Sequence, residues 1–176
     1  MIINKTWAMP NKNTFCISPI KNLIDKYNCN NLFNYKEDFI SIDPFANNNK
    51  IAKITNDLDP QYNTDYNLDA LDFLKKMNNN SIDLVLFDPP YSVRQVSECY
   101  KRLGKTVNME TTQSVFWTKL KKEISRITKI NSKVISFGWN SGGVGVENGF
   151  EQIEILLVAH GGIHNDTICV VENKFK

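Results

Sequence analysis

The chain has 176 residues, of which 41% are hydrophobic and 23% charged, and a net charge of +2 at neutral pH. That length suits one domain, the composition is globular rather than disordered, and the charge is too small to argue by itself for nucleic acid or membrane. No apolar run approaches the ~20 residues that span a bilayer, and the N-terminal MIINKTWAMPNKNTF lacks the continuous apolar segment of a secretory signal.

Residues 1–20 read as irregular, ending in the apolar–polar alternation TFCISPI (14–20). KNLIDKYN (21–28) reads as a short helix with Leu23, Ile24 and Tyr27 on one face. DFISID (38–43), stopped by Pro44, and KIAKITND (50–57) read as strands. LDALDFLKKM (68–77) is an amphipathic helix through Leu68, Leu71 and Leu74. SIDLVLFD (81–88) is a buried strand, and an irregular stretch is expected over 92–111. TQSVFWTKLKKEISRITK (112–129) is a long helix with its stripe at Val115, Phe116, Leu120, Ile124 and Ile127. KVISFGW (133–139) is a strand running into the Gly-rich loop NSGGVGVENG; FEQIEILLVAH (150–160) and DTICVVENKF (166–175) are strands joined by GGIHN.

This alternation predicts an α/β fold: a mostly parallel sheet with helices on both faces, in a single domain over 1–176. The last two strands are too close for a helical crossover, so they are expected to pair antiparallel and form an edge of the sheet. The four cysteines, Cys16, Cys29, Cys99 and Cys169, include no CxxC pair, and the two histidines, His160 and His164, sit in the final connection. No metal site is expected, and free thiols in a cytoplasmic protein are the simplest reading.

In open α/β sheets, ligands bind beyond the carboxyl ends of the parallel strands. Asp43, Asp57 and Asp88 all lie at such ends. A single carboxylate there can be nothing more than a helix cap; three on one edge point to a site. Asp88 opens the tetrapeptide DPPY. Pro89 and Pro90 have fixed φ and no amide hydrogen, and a following proline pushes Asp88 toward extended backbone. The result is a stiff platform offering the Asp88 carboxylate, the Pro89 carbonyl and the flat ring of Tyr91. Those groups suit an exocyclic amine on a nucleobase, whose lone pair is delocalised into the ring. Two acceptors gripping its hydrogens favour the nucleophilic form, an aromatic ring stacks on the base, and a methyl donor held in line reacts by proximity.

On these residues the chain resembles the S-adenosylmethionine-dependent DNA amino-methyltransferases, in particular the adenine-N6 type with its DPPY signature. IDPFANN (42–48) is similar to the family's cofactor motif, ITNDLDP (54–60) to the motif whose acid holds the cofactor ribose, and NLDALDFL (67–74) to the motif that binds the cofactor adenine; TFCISPI resembles the motif that packs on the methionine end. The resemblance implies a Rossmann-like seven-stranded methyltransferase sheet with a reversed last strand. It implies S-adenosyl-L-methionine as cofactor, held by Phe15, Ile17, Pro19, Asp43, Pro44, Phe45, Ala46, Asn47, Asp57 (with Asp59 as second choice for the ribose), Leu58, Asp69, Ala70 and Asp88. Asp88, Pro89, Pro90 and Tyr91 would be catalytic, with no metal. For the acceptor, Tyr91, Arg94, Gln95, Trp139 and Asn140 are the candidates, and Arg94, Lys101, Arg102 and Lys105 could position phosphates. DNA is the expected partner. RNA or cytosine N4 is the alternative acceptor, and a non-catalytic subunit the alternative from another class.

The sequence departs from the family in two ways. The expected GxG is replaced by Asn47-Asn48-Asn49; Asn tolerates a left-handed backbone better than most residues, so the turn can still form. No segment is left for a target-recognition domain, so recognition would come from short loops, a partner subunit or a homodimer.

Overall fold

A computed structural model describes residues 1–28, 37–106 and 114–176. Its single sheet has seven strands: β1 (Ile2–Trp7), β2 (Ser41–Asp43), β3 (Ile54–Thr55), β4 (Ile82–Phe87), β5 (Thr128–Gly138), β6 (Phe150–Ala159) and β7 (Thr167–Lys174). The spatial order is β1-β6-β7-β5-β4-β2-β3. β7 runs antiparallel to both of its neighbours, β5 and β6, and every other pairing is parallel.

Helices α1 (Ser18–Tyr27), α2 (Ala70–Lys75), α3 (Val93–Arg102) and α4 (Ser114–Ile127) complete the fold. α1 starts with Pro19 in its first turn, where the missing amide hydrogen costs nothing, and buries Ile20, Leu23 and Ile24 against Leu84, Leu86, Ile135 and Phe137. On the other sheet face, Phe73 and Leu74 of α2, Val96 of α3 and Leu120, Ile124 and Ile127 of α4 pack on Ile42, Val85, Phe87 and Val134. β4 therefore buries both faces, as its near-continuous apolar run demands.

The seven-stranded, mostly parallel architecture with a reversed last strand is as expected, and four local expectations are corrected. Residues 2–7 form a strand, not irregular chain: β1 is held in register on β6 from Ile2 opposite Glu154 to Trp7 opposite Ala159. The antiparallel pair is not an edge, because β7 inserts between β6 and β5 and leaves β1 and β3 outermost. Residues 93–102 form α3 rather than a loop, capped by the Ser92 hydroxyl accepting from the Gln95 amide. The strands foreseen at 38–43 and 50–57 shrink to Ser41–Asp43 and Ile54–Thr55. Residues 112 and 113 of the expected long helix, and Cys29, lie outside the described residues.

Among the described residues no helix is long and apolar enough to cross a membrane. His160 is buried, with Nδ1 2.9 Å from the Ala8 carbonyl and Nε2 2.9 Å from the Thr167 hydroxyl. It serves the packing of the last two strands on the chain after β1.

Candidate active site

Two cavities open at the carboxyl edge of the sheet. They share the walls Pro89, Pro90 and Tyr91. The first, of about 400 Å³, is lined by Pro44, Phe45, Asn47, Asp57, Leu58, Asp59, Asp69, Ala70 and Asp88, closed on one side by Lys12 and Thr14 and on the other by α3. The second, of about 660 Å³, lies between the DPPY segment, α4 and the end of β5, and includes Arg94, Trp117, Lys121, Ser136, Trp139 and Asn140.

The turn after β2 builds one wall of the first cavity. Asn47 has φ +49°, so it takes the left-handed conformation that asparagine tolerates and that the missing glycines would have supplied. Its amide donates to Asp57 Oδ2 at 2.9 Å, and the other oxygen of Asp57 accepts from the Asp59 amide at 2.9 Å. Asn49 is fixed by the Ala46 carbonyl and by the side chain of Asn13. Asn56, fully buried, ties this turn to the next: its amide group donates to the Pro44 and Leu68 carbonyls, while its Oδ1 accepts from the Leu68 amide. One asparagine thus ties the turn of Asn47 to the segment that leads into Asp69; it stands in ITNDLDP, where the sequence pointed to the acids only.

Each acid of this cavity is already engaged. Asp69 caps α2 by accepting from the Leu71 amide, and its other oxygen accepts from the Tyr100 hydroxyl. Asp59 accepts from the Gln61 side chain and amide and lies 3.5 Å from the Arg102 guanidinium. Burial raises the Asp57 carboxyl above the usual range against the pull of its two amide bonds. Carboxylate oxygens hold two lone pairs each, so these acids keep acceptor capacity toward a ligand rich in hydroxyl and amine donors.

Asp88 sits half-buried in the wall of the first cavity, next to the segment that the two cavities share. Its Oδ1 accepts from the Tyr91 hydroxyl at 2.5 Å. Burial pushes its carboxyl up to about 6, against the lowering effect of the Tyr91 and Thr14 hydroxyls. Burial and the neighbouring carboxylate together hold the Tyr91 phenol protonated. The Tyr91 ring meets Trp139 edge-on, with centroids 5.5 Å apart, and its amide donates to Gln95 Oε1 at 2.6 Å.

Most of the residues singled out in the sequence converge here, with exceptions. Phe15 and Ile17 are buried in the core beneath the cavity, and Pro19 starts α1; Lys12 and Thr14 take the wall position instead. Asp43 and Ala46 are buried and do not line the cavity; Asp43 accepts from the Phe45 amide with Oδ1, while its Oδ2 has no partner among the described residues. Burial, with help from the Asp88 and Asp57 charges, raises the Asp43 carboxyl well above the usual range. Gln95 lies in the first cavity, not the second; Arg94 borders the second and is paired with Glu98 at 2.7 Å. Arg102 faces Asp59, while Lys101 and Lys105 are exposed. Tyr100, Cys99 and Phe116 are additional wall residues; the signal for the first two is the i, i+3, i+4 spacing of Val96, Cys99 and Tyr100, and Phe116 belongs to the apolar stripe of α4.

The loop after β5 is held from within. Glu172 of β7, fully buried, accepts from the Val144 and Gly145 amides at 2.6 and 2.9 Å. Gly143, at φ +53°, lets the carboxylate this close: a Cβ there would lie 2.4 Å from it. This anchor places Trp139, Asn140 and Gly143 along the second cavity.

The sequence matches no protein-family model and no curated protein. Solved structures do share its architecture. TrmN from Thermus thermophilus aligns over 91% of this chain with a TM-score of 0.58 and 12% identity, and the chain spans only 49% of TrmN. HI0767 from Haemophilus influenzae, assigned as a methylase, aligns over 89% of this chain and 98% of its own length, with a TM-score of 0.53 and 13% identity. The 1,6-didemethyltoxoflavin-N1-methyltransferase of Burkholderia thailandensis, solved with 1,6-didemethyltoxoflavin and S-adenosylhomocysteine bound, aligns over 89% of this chain and 87% of its own, with a TM-score of 0.51 and 7% identity. The chain has a Rossmann-like methyltransferase fold.

Proposed function

We propose that this chain transfers a methyl group from S-adenosylmethionine to the exocyclic N6 amine of adenine in DNA. The observation that carries this reading is the junction of two cavities at Pro89-Pro90-Tyr91, with the Asp88 carboxylate next to it in the wall of the first. One cavity has room and acceptors for a nucleoside cofactor; the other has aromatic walls for a planar acceptor.

The residues of the first cavity fit the cofactor. Asp57 and Asp59 suit the ribose hydroxyls, Asp69 suits the adenine amine, and Phe45, Leu58, Ala70 and Val96 supply apolar surface within a volume in the range of ligand sites. When bound, the cofactor supplies a methyl group made electrophilic by its sulfonium.

The chain's own groups act on the acceptor. The amine replaces the Tyr91 phenol at Asp88 and donates one N–H to that carboxylate and the other to the Pro89 carbonyl. Both bonds draw the nitrogen lone pair out of conjugation. The base lies against Tyr91 and Trp139, which requires that it leave the duplex stack. On receiving the methyl group that the cofactor would supply, the amine nitrogen would become cationic. Its proton then passes to Asp88, a carboxylate that ionises near pH 6 and can return the proton to water.

The test is incubation with tritium-labelled donor and either duplex DNA or RNA, followed by nucleoside analysis. Label in N6-methyladenine of DNA supports the proposal. Label in RNA alone, or in N4-methylcytosine, reassigns the acceptor. No label in any nucleoside overturns methyl transfer to nucleic acid.

A further inference from the structure

The wall of the second cavity contains one buried side-chain polar atom that has no hydrogen-bond partner among the described residues. Ser136 is 8% exposed, and its hydroxyl makes no hydrogen bond to any described residue. It lines the second cavity together with Pro89, Pro90, Trp139 and Asn140. It is paired in register with Phe87, the residue just before Asp88. Alternation along β5 puts Ser136 on the same face as Val134, whose side chain packs with Phe87 on the α2–α4 side of the sheet. Two residues on, Gly138 has open space where a Cβ would stand, so the cavity continues past Ser136 toward Trp139.

A buried hydroxyl without a partner is costly, because water has been removed and nothing replaces it. Alanine would fill the same place on a central strand without that cost. The remaining sheet-edge polar groups are satisfied from within: Asp57, Asp59, Asp69 and Glu172 all accept from their own chain. Asp43 Oδ2 is the other buried atom without a partner among the described residues, and it lies outside both cavity walls.

We propose that Ser136 is a substrate-reading residue, whose hydroxyl donates to the ring nitrogen flanking the exocyclic amine of the acceptor base. This rests on the acceptor reading above. With the amine at Asp88 and the Pro89 carbonyl, a ring nitrogen next to the amine-bearing carbon is the nearest acceptor that a planar base can present toward the adjacent strand. In adenine N1 adjoins that carbon directly, and on its other side the nearest ring nitrogen is N7, one atom further on beyond C5. Both nitrogens accept, so the one hydroxyl hydrogen serves either face of the base but finds no acceptor where a C–H replaces the nitrogen.

The experiment compares the parent and Ser136→Ala proteins on random-sequence oligodeoxynucleotides carrying adenine, 1-deazaadenine or 7-deazaadenine, with labelled donor. Ser136→Ala is expected to lower kcat/KM on adenine by roughly tenfold, the effect of one buried hydrogen bond. One of the two deaza substrates is expected to cost the parent a similar factor and to cost Ser136→Ala nothing more. Affinity for S-adenosylmethionine, read by calorimetry, stays within twofold, and Tm rises by a few degrees because the unpartnered hydroxyl is gone. A merely structural serine would give the opposite Tm change. Equal loss on all three substrates, or kcat/KM on adenine within twofold of the parent, overturns the assignment of Ser136 and leaves methyl transfer standing. A parent protein that labels none of the three removes the acceptor reading and this inference with it.

Discussion

The two cavities are built on opposite terms. In the first, every acid is held by the chain: Asp57 by two amides, Asp59 by Gln61 and Arg102, and Asp69 by Leu71 and Tyr100. Its shape is set by turns, fixed through the buried Asn56. In the second, the walls are rings, a loop and a hydroxyl that the chain does not satisfy. The first is satisfied from within, whereas the second keeps one buried hydroxyl without a partner among the described residues. Asp88 belongs to the boundary, and its own phenolic partner occupies the place where an acceptor amine would bind.

Substitutions should separate the two. The largest effect is expected at the boundary: Asp88→Ala removes the acceptor of the amine and should reduce transfer by roughly 10³-fold, with S-adenosylmethionine affinity within a few-fold by calorimetry. Asp57→Ala strikes the first cavity alone. It frees the Asn47 and Asp59 amides and should weaken S-adenosylmethionine by ~10–100-fold, visible as a raised Kd with the acceptor KM unchanged. Trp139→Ala is its counterpart in the second cavity: loss of a stacking or edge contact worth ~1–3 kcal/mol should raise the acceptor KM about tenfold and leave cofactor binding as it was. If Trp139→Ala instead weakened the cofactor, the division into two sites would fail.

Acidity gives a comparable factor. Asp88 must be ionised to accept the amine, and its carboxyl is pushed up to about 6 by burial. kcat/KM is therefore expected to be flat above that pH and to fall about tenfold per pH unit below it, whereas cofactor affinity should not follow the same curve. The smallest effect is expected at Glu172→Gln, which keeps one acceptor for the two amides of Val144 and Gly145 and should raise the acceptor KM a few-fold, with faster hydrogen exchange in the 139–149 loop.

Much of the first cavity was legible in the sequence because it is made of short consecutive segments. IDPFANN, ITNDLDP, NLDALDFL and DPPY each end at the wall that their position predicts, and Asn47 adopts the left-handed turn inferred for it. What was not legible depends on partners far along the chain. β1 shows no apolar alternation because nearly all of its side chains are exposed; only its backbone bonds to β6 make it a strand. α3 buries a single residue, Val96, so its pattern reads as a polar loop. Ser136 looks like a break in an apolar strand, and its meaning comes from the cavity beside it. Phe15 and Ile17 are apolar residues near a motif, and the core claimed them before any ligand could.

The position of β7 has a consequence for how this molecule is assembled. It is the last strand in the chain yet lies in the interior of the sheet, and it alone joins β6 and β1 to β5 and the strands beyond. The sheet is therefore two halves until residues 167–174 insert between them, a late, long-range step of the kind that slows folding. β7 also carries Glu172, so before that insertion the 139–149 loop lacks the carboxylate that holds the Val144 and Gly145 amides. A nascent chain can already hold the parallel strands that shape the first cavity while the wall of the second is still unformed. The wall of the second cavity is thus completed only when the sheet closes.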